Sequence, residues 1–212
     1  MTPQEETTIT QTGGREGKRE AILEAARKVF LEIGFGATSM DAIAVAAKVS
    51  KQTVYNHFGS KEELFAAMIR STCDRMVTAF EQAAKSGKPE LTLKGIARQV
   101  ISKVLDRDRL SLYRILMAEG QRFPELGQIF YECGPQVTRK YLADYFTEQN
   151  ALGTMHVANP AVAADQFFGL LSGCQLKAQL GLESAPSQEF IDTYVETTVA
   201  LIMSAYGGPG RR

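Results

Sequence analysis

The stretch Lys51-Gln-Thr-Val-Tyr-Asn-His-Phe58 brings two carboxamides, a hydroxyl and an imidazole together on a segment of helical periodicity. At about 100° per residue, Val54, Tyr55 and Phe58 gather on one side. Gln52, Thr53, Asn56 and His57 fill the opposite arc, and Lys51 stands at the N-terminal end. That arc has the chemistry the major groove of a duplex demands. Gln and Asn can pair bidentately with adenine, and the Thr53 methyl can meet a thymine methyl. Lys51 and Lys61 can neutralise phosphates, as can His57 once protonated, while Tyr55 and Ser39 can hydrogen-bond them. The helix starts near Thr38, Ser50 and Ser60 present unsatisfied N–H groups to the same polyanion. Between residues 37 and 61, Lys48, Lys51 and Lys61 stand against Asp41 alone, a small positive patch. The competing reading of such an arc is a solvated helix face.

Positioning these side chains takes several short helices. The first carries the stripe Ala21, Ile22, Ala25, Ala26, Val29, Phe30 and Ile33, and Gly34 supplies a left-handed end. Thr38 and Ser39 offer N-cap oxygens, and Asp41 stands where the acid of a capping box headed by Thr38 would. A short alanine-rich helix, Met40 to Lys48, precedes the polar turn Lys48-Val-Ser50, and Ser50 caps the segment ending at Phe58. The apolar side of that segment is expected on Val29, Phe30 and Ile43. After Gly59, Ser60 with Glu63 opens a long helix striped with Leu64, Phe65, Met68, Thr72, Met76, Phe80 and Ala83. Ser86-Gly-Lys-Pro89 breaks it. Short helices around a polar turn, followed by a long helix, form a helix-turn-helix layout.

The run TSMDAIAVAAKVSKQTVYNHFGSKEELF closely resembles the DNA-binding domain of the TetR family of bacterial transcriptional regulators. The match rests on Ser39, Ile43, Ala44, Ala47, Val49, Ser50, Val54, Tyr55, His57, Phe58, Ser60, Lys61, Glu62 and Leu64, within residues 17–66. The resemblance implies that Tyr55, His57 and Lys61 clamp phosphates. It also implies that Lys51, Gln52, Thr53 and Asn56 lie at or near base edges. Gln52 departs from the small residue common there, which leaves the base preference open. Farther on, AEGQRFPELGQIFYECG (118–134) resembles the AefR-type C-terminal region of AcrR-like members. That resemblance implies a second domain that dimerises and binds a small molecule, and a repressor rather than an activator.

The remaining segments are helical, and none alternates convincingly, so the fold class is all-α. The expected division is a disordered tail at 1–16, a helix-turn-helix domain at 17–66, a helical effector-binding and dimerisation domain at 67–206, and a flexible tail at 207–212. One stripe, Ala163, Phe167, Leu170, Leu171, Cys174 and Ala178, and another, Ile191, Tyr194, Val195, Val199 and Ile202, could pair with a second copy in a four-helix interface. The same stripes could equally form an intrachain core. A pocket for a mostly hydrophobic effector could draw on Tyr113, Met117, Phe123, Phe130, Tyr131, Tyr141, Phe167 and Phe168, with Arg114, Gln136 and Gln175 as isolated polar groups. Each aromatic could also be plain core.

Composition narrows the field. Lys and Arg balance Asp and Glu at 24 each, so any attraction to nucleic acid is local. Cys73, Cys133 and Cys174 are far apart and odd in number, which reads as thiols in a reducing cytoplasm without disulfide, metal or cofactor. No apolar leader opens the chain and no run has membrane-spanning length. Catalysis is disfavoured: Gly34-Phe-Gly36 follows a helix, not a strand, and Gly169-Leu-Leu-Ser-Gly173 displaces its serine from a nucleophile elbow. His156 has no ligand partner at metal spacing. A DNA-binding architectural protein without effector is the nearest alternative. Arg15, Lys18 and Arg19 are either a minor-groove arm or a charged helix start.

Overall fold

The computed structural model describes the backbone of residues 3–74, 87–182 and 186–208, with side chains over 14–72, 87–182 and 186–208. Its elements are α1 (Pro3–Ala37), α2 (Met40–Ala46), α3 (Lys51–Phe58), α4 (Lys61–Asp74), α5 (Pro89–Val104), α6 (Arg107–Glu119), α7 (Pro124–Cys133), α8 (Pro135–Ala151), α9 (Pro160–Ser172), α10 (Leu176–Gln179) and α11 (Gln188–Tyr206), with a 3-10 turn at Gly173–Gln175. Among the described residues the β-structure is one isolated bridge, Met155 with Gly207.

Two compact units emerge, and their borders differ from the expected ones. The first comprises 1–72 together with 115–129; the second comprises 73–114 and 130–212. Helical backbone begins at Pro3, so α1 runs through most of the stretch expected to be disordered. Proline suits a first helical position, and no second proline interrupts α1. At the other end, Gly207 pairs with Met155 and the Gly208 amide donates to Thr154, so these two residues of the expected tail are tied down. The portion of the long helix expected beyond Asp74, with Met76, Phe80 and Ala83, lies outside the described residues.

In the first unit Gly34 takes φ 83° and breaks α1, a conformation that favours glycine. The chain then turns Phe35 inward. Its ring lies 5.8 Å from Phe30, 5.0 Å from Phe65 and 4.9 Å from Phe123. Around this aromatic centre Ile22, Ile43, Val54, Leu64 and Ile69 are fully buried. Burying such side chains is worth about 1.5–3 kcal/mol each, which is what holds the three short helices together. Ile33 and Ala21, expected in the α1 stripe, face solvent.

In the second unit α5, α8, α9 and α11 share a core that includes Leu93, Ile96, Val100, Leu142, Phe146, Phe167, Leu171, Val195, Val199 and Ile202. A polar rim joins α5 to α11, where Lys94 meets both Glu90 and Glu196 and Arg98 meets Asp192. The single helix expected over 161–181 stops at Ser172 and resumes as the short α10, with the 3-10 turn starting at Gly173.

Candidate functional site

The turn before α3 is built from the backbone outward. Lys48 adopts φ 54°, a left-handed conformation uncommon for a side-chain-bearing residue. This lets the Val49 amide donate to the Ala44 carbonyl at 3.0 Å. Ser50 then caps α3 by accepting from the Thr53 amide at 3.1 Å, and its hydroxyl shares a second hydrogen bond with the Thr53 hydroxyl at 2.8 Å. Ser39 caps α2 by accepting from the Ala42 amide at 3.1 Å. Thr38, the other candidate cap, is buried and donates to the Gly34 carbonyl at 2.6 Å. It closes the end of α1 instead of capping α2, so Asp41 completes no capping box with it.

Val54 and Phe58 anchor α3 in the core, whereas Tyr55, expected beside them, is exposed. The outward face holds Lys51, Gln52, Tyr55 and Asn56, with Thr53 and His57 half-buried at its edges. The Gln52 side-chain amide donates to the Asn56 side-chain oxygen at 2.8 Å, so the two carboxamides are aligned one turn apart. Lys51 pairs with Asp41 at 2.9 Å and lies 5.9 Å from the Tyr55 ring centre. The hydrogen bond and charge of Asp41 raise the Lys51 pKa above the usual lysine value. Both partners are solvent-exposed, so the pair holds the lysine only loosely.

His57 is influenced by a second basic group. Burial first, and then the positive charges of Arg15, Arg19 and Lys18, lower its pKa from the ordinary imidazole value. Arg19 also stacks its guanidinium over Phe58 at 5.4 Å. Arg15, Lys18 and Arg19 therefore add an α1 edge to the positive face of α3. Lys61 is placed differently. Its ammonium donates to the carbonyls of Phe35 at 2.9 Å, Thr38 at 3.0 Å and Gly36 at 3.5 Å.

The second unit encloses a separate cavity of about 330 Å³. Five of the residues expected at a pocket line it: Tyr113, Phe130, Tyr131, Phe168 and Gln175. The others lie elsewhere. Phe167 belongs to the core and Tyr141 packs against it. Arg114 donates to the carbonyls of Gln179 at 2.8 Å and Ala178 at 2.5 Å. Met117 and Gln136 face solvent, and Phe123 sits on Phe35 in the first unit. Sequence reasoning missed Lys103, Arg109 and Arg139 in the cavity wall. Charged residues on amphipathic helices read as solvent-facing, and no local signal marks the exceptions.

The two expected dimer stripes also divide. Ala163, Phe167, Leu171, Ala178, Val195, Val199 and Ile202 are buried within the chain, while Cys174, Ile191 and Tyr194 are half-buried. Burial pushes the Cys174 thiol above its usual pKa, which disfavours the reactive thiolate. Of the stripes, Leu170 alone is exposed. It borders an open trough of about 530 Å³ with Gly169, Gly173, Tyr194 and Leu201. Among the described residues no cluster could hold a metal ion, and no helix is long and apolar enough to cross a membrane.

Known proteins agree with this geometry. Residues 22–68 match the model for bacterial regulatory proteins of the tetR family, and residues 91–208 match the AefR-like transcriptional repressor C-terminal domain. The HTH-type transcriptional repressor Rv3405c of Mycobacterium tuberculosis is 32% identical over 130 residues, covering 58% of this chain and 62% of that protein. The HTH-type transcriptional activator FasR of Mycolicibacterium smegmatis is 40% identical over 72 residues, 34% of this chain and 33% of its own length. These matches span less than two thirds of either relative. Among solved structures, a TetR-family regulator of Mesorhizobium loti aligns with a TM-score of 0.83 and 29% identity over 91% of this chain and 98% of its own. The Flavonoid-responsive Regulator FrrA aligns with a TM-score of 0.74 and 34% identity over 92% and 100%. The capped α2–turn–α3 unit, the helical second unit and these matches lead to one conclusion: the chain belongs to the TetR family of bacterial regulatory proteins and is a helix-turn-helix transcription regulator with an AefR-like C-terminal domain.

Proposed function

We propose that the protein is a repressor whose homodimer occupies a pseudo-palindromic operator and leaves it when a small, mostly apolar effector binds. The observation that carries the first half is the outward face of α3, where Gln52 and Asn56 are held in register above a buried Val54–Phe58 anchor. Aligned carboxamides with exposed edges suit adenine. Lys51, Tyr55, His57 and Ser39 flank them as phosphate contacts, with Thr53 and Ser50 at the N-terminal end of the reading helix. The repressor sign follows the C-terminal domain match, although FasR, a relative over 72 residues, is an activator.

The dimer face we assign is the trough side of α9 and α11, where Leu170 and Leu201 are exposed and Phe190 adds a further apolar surface. A two-fold pair would present two α3 helices to successive half-sites. The effector site we assign is the cavity bounded by Tyr113, Phe130, Tyr131 and Phe168. The flavonoid-responsive relative supports a planar, ring-bearing effector. In sequence Tyr113 and Phe130 stand on either side of the segment 115–129, whose Phe123 packs on Phe35 within the first unit. Chain continuity through α6 and α7 offers the effector a route to bias α3. Only unequal affinity for the two states can shift that equilibrium. A mobility-shift titration on DNA flanking the protein's own gene tests the proposal. A shift absent on scrambled DNA and reversed by lipophilic planar compounds is expected; identical shifts on both DNAs would refute it.

A further inference from the structure

The walls of the second unit's cavity bear on the chemistry of its occupant. We infer that it takes an aromatic acid, a planar one- or two-ring molecule whose carboxylate or ionised hydroxyl pairs with the guanidinium of Arg139. The assignment rests on reading the cavity as the effector site and narrows that reading to one ligand class.

Three basic residues, Lys103, Arg109 and Arg139, line the cavity, and no acidic residue among the described ones does. Arg139 is also oriented. Its Nε donates to the Asp165 carboxylate, while its guanidinium carbon stands 4.3 Å from the Phe168 ring centre and 5.8 Å from that of Tyr131. One edge of the fork is thus engaged and its face is covered by aromatic rings. Nη1 is buried and, among the described residues, has no hydrogen-bond acceptor. A buried donor without an acceptor is unfavourable, and a small turn of the guanidinium toward a bound anion would relieve it. For a guanidinium the matching acceptor is an anionic oxygen, held with fixed geometry because the planar fork is pre-organised.

The rest of the lining sets the shape. Tyr113 and Phe130 meet edge to face at 6.4 Å, and Val100, Val104 and Pro135 complete an apolar wall. A volume of about 330 Å³ lies at the small end of the ~300–1,000 Å³ typical of ligand pockets. This favours one or two rings over a long chain. Neutral aromatic molecules would fill the same space but offer Arg139 an uncharged acceptor at most and leave the charge of Lys103 uncompensated. Their affinity should therefore be lower although their shape fits.

Isothermal titration of the full chain with 2-naphthoate and its neutral isostere 2-naphthamide tests the assignment. The wild type should bind the acid at least tenfold more tightly than the amide. In the double variant Arg139→Gln with Asp165→Asn, which leaves no unpaired carboxylate, the preference should shrink to the smaller part that Lys103 supplies, and the amide should keep its wild-type affinity. Lys103→Gln should cut the preference by a smaller factor, and it keeps the inference testable if the double variant does not fold. A wild type that binds acid and amide equally, or favours the amide, overturns the acid assignment and leaves the cavity as an effector site. If neither compound binds or moves the thermal midpoint, the acid assignment falls together with the cavity reading.

Discussion

The Lys61 ammonium donates to the Phe35 carbonyl at 2.9 Å and lies 4.5 Å from the centre of the same residue's ring. With the Thr38 and Gly36 carbonyls as further acceptors, the lysine ties the start of α4 to the end of α1. A phosphate contact by Lys61 would share an ammonium already engaged in the fold. Lys61→Met should therefore lower the unfolding free energy by about 1–2 kcal/mol in urea titration, at the low end for charge-assisted hydrogen bonds because the site is half-exposed. DNA of every sequence should be bound more weakly to a similar degree. Undiminished stability with weakened binding would make Lys61 a phosphate ligand only.

Gln52 and Asn56 should separate sequence preference from general affinity. Gln52→Ala or Asn56→Ala should cost about 1–3 kcal/mol on the best site, since one well-formed bidentate pair discriminates by that amount. Random DNA should change little. Because Gln52 orients Asn56, the double variant should lose less than the sum of the single losses. Fluorescence anisotropy over a panel of single-base operator variants reads this directly, and equal losses on operator and random DNA would contradict it.

His57 should make binding pH-dependent. In the free protein, burial and then Arg15, Arg19 and Lys18 depress its pKa. The unfolded chain thus holds more protons in the window between the depressed value and about 6.5. The stability associated with His57 is complete above about pH 6.5 and is lost as pH falls through the folded value. A phosphate beside His57 would push the pKa back up, so the complex takes up a proton. Affinity should rise as pH drops from about 7.5 to about 6, and His57→Gln should flatten that slope. A wild-type affinity independent of pH would place His57 away from phosphate.

Leu170→Glu and Leu201→Glu should give folded monomers by light scattering at micromolar concentration, with unchanged helical circular dichroism. Both residues are exposed at the trough and stand outside the intrachain core. Operator affinity should fall by orders of magnitude, because one α3 reads only one half-site. A Leu201→Glu dimer that still binds operator would move the interface elsewhere.

The local order of the first unit was legible because it is written in local chemistry. Ser39 and Ser50 cap the helices they precede, Gly34 and Gly59 adopt positive φ, and Val54 and Phe58 face inward as their spacing implies. Long-range partners were not legible. Lys61 finds its acceptors on residues far back in the chain, and segment 115–129 joins the first unit although the sequence places it well inside the second. Periodicity identified the stripes of α9 and α11 but not what covers them. Most proved to be core, and Leu170, at the stripe's edge, was left outside. Arg139 shows the same limit in the cavity, since a basic residue on a helix carries no sign of the rings that will enclose it.

On the proposed function α3 reads a two-fold site on DNA. The most direct measurement is a footprint, with excess random competitor, on the DNA flanking the protein's own gene. Two protected half-sites related by pseudo-two-fold symmetry and separated by whole helical turns of about 10 base pairs are predicted, with protection lost in the Gln52→Ala, Asn56→Ala double variant. Uniform protection that tracks competitor concentration, and is unaffected by those substitutions, would contradict the account.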